Sequence, residues 1–171
     1  MTNNVKGFYD EGYEDAVRGN HLPLAYYHLR ITANLGETEF STEARPAVHL
    51  ETEVASGEYE GRRGPRITLQ LGAWDWVNPK SGKTVSHDED EMYQNLKADV
   101  RAIHGATPPV IPAGVYGLEL LDATADALVA DEFFAKVSEN KNGFQVAGYY
   151  RDINDPPKGF VLSKDRDEFR V

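Results

Sequence analysis

The chain has 171 residues, with 18 Lys and Arg against 28 Asp and Glu, so its formal net charge is −10, and it contains no cysteine. The missing cysteines exclude disulfides, thiolate metal sites and cysteine nucleophiles. The acidic total argues against broad binding to duplex DNA, which relies on Lys and Arg to neutralise phosphates, but it leaves room for a local basic groove. No run of about 20 apolar residues occurs, so no membrane span is expected and the predicted location is cytoplasmic.

Residues 1–21 are polar and acidic, which predicts a flexible N-terminal arm rather than a signal peptide. Three stretches then alternate apolar and polar residues with period two: Leu24–Leu35, Ala47–Val54 and Arg66–Leu71. This alternation predicts three strands. Gly72 follows the third and indicates a bulge or bend before the two tryptophans.

Residues Ser86–His104 switch to helical spacing. Ser86 and Glu89 fit a capping box, and the acidic run Asp88–Glu91 suits the first turn of a helix because of the helix dipole. One apolar stripe follows at helical intervals: Met92, Leu96, Val100 and Ile103. Gly105 is placed to end the helix.

Two further helical stretches are predicted at Gly114–Leu121 and Asp122–Val129. The last two predicted strands are Glu132–Val137 and Phe144–Tyr150. The Asn142-Gly143 pair between them is a strong hairpin signal, because both residues tolerate positive φ.

The resulting β-β-β-α-β-β order predicts a mostly β protein with one to three helices. It is the order expected of an OB-like five-stranded β-barrel with a helix between strands 3 and 4. We expect this domain to cover residues 22–152 and to be followed by a polar C-terminal tail, residues 153–171. OB barrels most often bind single-stranded nucleic acid or oligosaccharide, although a fold alone does not determine activity.

Enzymatic motifs are missing from the sequence. The five histidines are scattered without metal-ligand spacing, and neither a Gly-x-Ser-x-Gly elbow nor a complete phosphate-binding loop occurs. Carboxylates at Glu51, Glu53, Asp75 and Asp88–Glu91 leave open a metal-dependent nuclease, but exposed strands and a helix start explain them without a metal. The sequence therefore predicts no enzyme, no cofactor and no metal site.

Cationic and aromatic residues indicate a binding surface instead. Arginine contacts phosphates through its planar fork, and aromatic rings stack on bases. The candidate nucleic-acid-binding residues are Tyr26, Arg30, Tyr59, Arg62, Arg63, Arg66, Trp74, Lys136, Tyr149 and Arg151. Two plainer interpretations stay open: the arginine-rich hairpin is a solvated turn balanced by Glu58 and Glu60, and both tryptophans belong to the core.

The stretch Val54–Arg63, with its Gly-Glu-Tyr-Glu-Gly-Arg sequence, resembles a hairpin of small bacteriophage proteins encoded among replication and recombination genes. Asp131–Val137, an Asn-Gly turn and Val146–Asp152 are similar to the closing hairpin of the same proteins, which are generally regarded as single-stranded DNA-binding proteins. The resemblance implies an OB-like fold and non-catalytic, largely sequence-independent binding of single-stranded DNA in phage replication or recombination, in the host cytoplasm. The end of the tail, Lys164–Val171, resembles segments that recruit replication or recombination proteins.

Two rival functions remain at this point. One is a protein-interaction module, a phage structural or host-inhibiting factor, that uses its acidic surface. The other is the carboxylate-dependent nuclease. The sequence also leaves open a homodimer and the choice between DNA and RNA.

Overall fold

The computed structural model describes residues 21–160 of the chain. In chain order the elements are β1 (Tyr26–Glu37), β2 (Ala47–Val54), β3 (Ile67–Gln70), β4 (Trp74–Val77), β5 (Thr84–His87), α1 (Glu89–His104), α2 (Gly117–Leu128), β6 (Glu132–Glu139) and β7 (Gln145–Asp152). The protein is thus mostly β with two helices, as predicted. Nearly all of the predicted N-terminal arm, and the tail beyond residue 160, lie outside the described residues. No helix within residues 21–160 has both the length and the apolar character needed to cross a membrane.

Five strands form one antiparallel sheet in the order β3-β2-β1-β6-β7. The two edges, β3 and β7, do not pair with each other in the part of the chain that the structure describes, so the sheet is open and the predicted barrel is not confirmed. β3 is only four residues long. Helix α1 contacts both edge strands, so side-chain packing links them where a barrel would have backbone hydrogen bonds.

One face of the sheet packs against both helices. Alternation in the strands sends every second side chain to this face, as in any pleated strand. Its fully or nearly fully buried side chains come from four strands and both helices: Tyr27, Leu29, Ile31, Val48, Leu50, Val54, Ile67, Leu69, Phe133, Ala135, Val137, Leu96, Ile103, Leu121, Ala125 and Leu128. The intervening side chains point away from the helices, on what we call the open face. On the three central strands these are Tyr26, His28, Arg30, His49, Glu51, Glu53, Glu132, Phe134 and Lys136.

The start of helix α1 differs from the prediction. Its N-cap is Asp88, whose side chain accepts a hydrogen bond from the backbone N–H of Glu91 at 2.8 Å. The predicted Ser86–Glu89 capping box is wrong because Ser86 belongs to β5, where it pairs with Asp75. The apolar stripe of the helix is confirmed, with Met92 among its buried residues.

A two-stranded ribbon, β4 and β5, was not predicted. Residues 78–83 connect the two strands, with the Asn78 N–H donating to the Lys83 carbonyl at 2.8 Å. Strands of four residues are too short for a period-two pattern to stand out. The two predicted helical stretches after α1 are likewise one helix, α2, which begins only at Gly117.

The predicted bend at Gly72 is confirmed. Its φ is +90°, and a Cβ added there would lie 2.1 Å from the carbonyl oxygen of Ala44. Only glycine allows this conformation and this close approach, so Gly72 lets the chain leave β3 against the β1–β2 connection and start the ribbon.

Candidate functional site

A buried histidine lies at the centre of the open face. His28 Nδ1 is 2.7 Å from Ser56 Oγ, and its Nε2 is 2.6 Å from Glu132 Oε1. These are the residue types of a Ser–His–acid relay, but a nucleophile must reach its substrate. His28 is 2% exposed and Ser56 is 6% exposed. We therefore interpret the trio as a structural clamp that joins β1, the end of β2 and β6.

Arg30 extends this clamp across the open face. Its Nη1 is 2.7 Å from Glu53 Oε1, and its Nη2 is 3.4 Å from Glu132 Oε2. Burial alone would lower the pKa of Arg30, but hydrogen bonds to Glu53 and the charge of Glu132 outweigh it and raise that pKa. Arg30 lies on the open face as predicted, but its charge is already shared between two carboxylates. It neutralises part of their charge, so a phosphate would compete with Glu53 and Glu132 for this guanidinium.

Three predicted residues meet at one end of the open face. Tyr26 of β1 pairs in register with Lys136 of β6, and the Lys136 ammonium lies 5.8 Å from the centre of the Tyr149 ring. Tyr149 has φ +51° at a bulge in β7, and it is 77% exposed. The bulge directs Tyr149 into solvent, whereas Tyr150 packs edge to face on Phe133 in the core. We call Tyr26, Lys136 and Tyr149 the tyrosine–lysine cluster.

Two more predicted cations line the β2 side of the sheet. Arg63 bridges to Glu53 through its backbone, and its largely exposed guanidinium lies 4.0 Å from Glu51 Oε2. Arg66 is exposed after the hairpin. Burial, and secondarily the charge of Arg66, lower the pKa of His49. Arg66 directly precedes Ile67, which pairs in register with Leu50 of β2.

Arg151 is the last predicted residue that reaches the open face. It lies opposite Phe134 in the register of β6 and β7. Its guanidinium donates to the carbonyl and the carboxylate of Asp155, both at 3.0 Å. Like Arg30, it is held by a carboxylate.

The structure does not bring Tyr59, Arg62 or Trp74 to this face. Tyr59 packs edge to face on Tyr27, a core residue, at 6.2 Å, and Arg62 lies over the Tyr59 ring at 5.5 Å. Arg62 also donates to the carbonyl of His21 at 3.2 Å. These contacts close the edge of the core beside Tyr27.

Trp74, also a predicted binding residue, anchors the β4–β5 ribbon and does not lie on the open face. Its ring stacks on His87 at 4.8 Å, and its Nε1–H donates to the sulfur of Met92 on α1 at 3.1 Å. Trp76 is the more exposed of the two tryptophans. Their spacing of two residues predicts that both side chains lie on the same face of the strand. It does not predict which of the two tryptophans is the more exposed.

A cleft of about 1440 Å³ lies where the end of α1 faces β6 and β7. Its walls include a His104–Asp131 pair with 2.6 Å between Nδ1 and Oδ2, together with Arg101 and Tyr150. Sequence reasoning missed this pair because its members belong to different elements. Across residues 21–160, no three His, Asp or Glu side chains are grouped as metal ligands. The cleft is lined by charged and hydrogen-bonding side chains, among them Arg101, His104 and Asp131.

The carboxylates weighed for a nuclease are dispersed. Glu51 and Glu53 lie on the open face, Asp75 lies on the ribbon, and Asp88–Glu91 forms the start of α1.

No protein-family model matches the chain, and no curated protein matches it significantly. The resemblance to phage single-strand binders therefore stays a prediction.

Proposed function

We propose that this protein binds single-stranded DNA on the exposed parts of its open face, without catalysis and largely without sequence preference. The observation that carries the proposal is the tyrosine–lysine cluster, in which a largely exposed ring and an ammonium group stand together on the solvent side of a sheet. Aromatic side chains on an exposed sheet stack bases, and neighbouring cations hold the phosphates.

The strand order is compatible with an OB-like arrangement. β1 pairs both with β2 and with β6, the first strand after the helices. The β2–β3 pair therefore lies on one side of β1 and the β6–β7 hairpin on the other. In OB folds the ligand crosses strands 2 and 3, flanked by the loops joining strands 1–2 and 4–5. Arg63 and Arg66 lie on the corresponding side of the sheet, and the tyrosine–lysine cluster lies toward its opposite edge.

The free energy of base stacking allows an estimate of the dissociation constant for single-stranded DNA. Two stacked tyrosines are worth about 2–6 kcal/mol, taking about 1–3 kcal/mol for each stacked base. A micromolar dissociation constant needs about 8 kcal/mol. Phosphate contacts by Lys136, Arg63 and Arg66 would supply part of the remainder, so binding should be modest and should weaken with salt. The setting we infer is phage replication or recombination in the host cytoplasm, with Lys164–Val171 recruiting partner proteins.

Fluorescence anisotropy with a labelled oligo-dT, compared with a duplex at two salt concentrations, tests the proposal. We expect the single strand to bind more tightly than the duplex, and Tyr149→Ala and Lys136→Ala to lose about five- to tenfold in affinity. Tyr116→Ala is the matched control, because Tyr116 is 80% exposed at the start of α2, away from the open face. Failure of the wild-type protein to bind any oligonucleotide would reject the function.

A further inference from the structure

The β4–β5 ribbon is fixed at one end and exposed at the other. At its base, Trp74 stacks on His87 and donates to Met92 of α1. One step along the same face, Trp76 pairs in register with Val85. Trp76 is 44% exposed, and Val77 and Val85 are also exposed large hydrophobic residues. A tryptophan on an anchored ribbon presents a large ring in a defined position, so little conformational entropy is lost when a ligand binds it.

The tip of the ribbon is locally basic. Between Trp76 and Val85 the chain carries Lys80 and Lys83 and no acidic residue, in a protein whose formal net charge is −10. Asp75 of the ribbon points to the opposite face from Trp76, because strand residues alternate.

The nearest acidic run, Asp88–Glu91, begins after the four residues of β5. Four extended residues span about 13 Å. This exceeds the Debye length of about 8 Å at physiological salt, so the carboxylates repel a ligand at the tip only weakly.

We infer that the ribbon is a second nucleic-acid contact, in which Trp76 stacks on one base and Lys80 and Lys83 bind the adjacent phosphates. This inference rests on the proposed function and assigns it a further site. The ligand class is single-stranded DNA, because bases in a duplex are stacked on each other and do not offer a free face. The positive tip suits a polyanion, and the exposed indole adds the stacking that two tyrosines do not supply.

Tryptophan emission gives a direct test, since the chain contains only Trp74 and Trp76. Oligo-dT should quench the wild-type protein, and the Trp76→Phe variant should lose this quenching because Trp74 is held against His87 and Met92. Trp76→Ala should weaken binding about tenfold, and Trp76→Phe should weaken it less, since a smaller ring remains.

Salt dependence tests the lysines separately. The double variant Lys80→Ala/Lys83→Ala should reduce the slope of log affinity against log salt by about 1.4, from about 0.7 for each lost phosphate contact. Lys97→Ala, on α1 above the ring of Tyr93, removes one positive charge away from the ribbon and serves as the control. The lysine variants should keep the wild-type unfolding midpoint, because their side chains are exposed. Trp76→Phe should stay close to it, because an aromatic ring remains at that position.

The outcomes separate the two proposals. Loss of affinity in both ribbon and tyrosine–lysine variants supports both sites. Wild-type affinity and slope in the ribbon variants, with loss in Tyr149→Ala, overturns the ribbon site and keeps the open face. Loss in the ribbon variants alone supports the ribbon and rejects the open face. A wild-type protein that binds no oligonucleotide overturns both, as does reduced self-association of the ribbon variants without any DNA binding.

Discussion

The rings of Phe160 and Phe134 meet edge to face, with 4.8 Å between their centres. Phe134 lies on the open face opposite His28, yet it is completely buried. The segment after β7 therefore turns back over the sheet, and Pro157 is buried with it. The described part of the predicted tail thus covers the middle of the open face, and the tyrosine–lysine cluster remains exposed beside it.

Removing the Phe160 ring should destabilise the protein. We expect Phe160→Ala to lower the free energy of unfolding by about 1–3 kcal/mol, less than for a fully buried phenylalanine because Phe160 is itself partly exposed. Urea unfolding measures the change. Phe144→Ala, in the exposed β6–β7 turn, is the control and should have little effect. Equal midpoints for Phe160→Ala and wild type would show that the ring does not protect Phe134.

The clamp around His28 should matter for stability and not for chemistry. His28→Ala removes a buried ring and leaves Ser56 and Glu132 without that partner, so we expect a loss of about 2–4 kcal/mol. Ser56→Ala should lose about 1 kcal/mol, the usual value of one hydrogen bond, and should bind DNA normally. Denaturant unfolding and anisotropy measure the two properties. A Ser56→Ala protein that folds normally but has lost a hydrolytic activity would contradict the structural interpretation.

Stability should fall as pH rises through the titration of Asp99. Burial raises the pKa of this carboxyl to about 6, whereas the ordinary value is 3.8. Between these values the folded protein holds a proton that the unfolded chain has released, so stability decreases with rising pH and levels off above about pH 6. Asp99→Asn should therefore be more stable than wild type by about 1–2 kcal/mol at neutral pH.

Thermal unfolding of both proteins at pH 4 and pH 7 measures this difference. The gain from Asp99→Asn should be much smaller at pH 4, where the folded protein keeps its proton and the unfolded carboxyl is only about half ionised. Burial and, secondarily, the charge of Asp99 also raise the pKa of Tyr150. A gain of the same size at both pH values would assign the effect to packing instead of ionisation.

Gly72 should tolerate no side chain. Its positive φ and the Ala44 carbonyl 2.1 Å from a Cβ position predict that Gly72→Ala costs more than about 2 kcal/mol. Gly148→Ala is the matched control, because that glycine has open space around its Cβ position and no positive φ. Unfolding midpoints that shift equally in the two variants would contradict this explanation.

A charge-removing variant should strengthen DNA binding. Glu51 lies 4.0 Å from Arg63, and its Oε1 accepts a hydrogen bond from Thr32 at 2.9 Å. Glu51→Gln keeps an oxygen for Thr32 and frees Arg63 for a phosphate, so we expect affinity for oligo-dT to rise about two- to fivefold, the range of an exposed ion pair. Anisotropy at low salt measures it. Unchanged affinity would remove Arg63 from the interface.

Local patterns predicted the strands and the first helix well. The alternation in Ala47–Val54 and the stripe from Met92 to Ile103 each reflect one chain segment facing one core, and so they can be seen within a short window. The β4–β5 ribbon was not predicted, because strands of four residues are too short to show a clear alternation of apolar and polar residues. The N-cap was displaced from Ser86 to Asp88 by the pairing of β5, a contact outside the helix itself.

The candidate site was predictable by residue type and not by environment. The sequence identified Tyr149 and Lys136 as candidates, and the structure brings them together. It also named Arg30 as a phosphate ligand, and only the structure shows that Arg30 pairs with Glu53 and Glu132.

By itself, then, the sequence determined the mostly β character, the central helix, the absence of thiol chemistry and the supply of aromatic and cationic side chains, because composition and short-range periodicity are properties of the chain alone. Only the tertiary structure decided that the sheet stays open, that His28 is clamped and that Trp76 is the tryptophan left in solvent. Strand order and charge pairing depend on contacts between segments far apart in the chain, whose free energies no local pattern records.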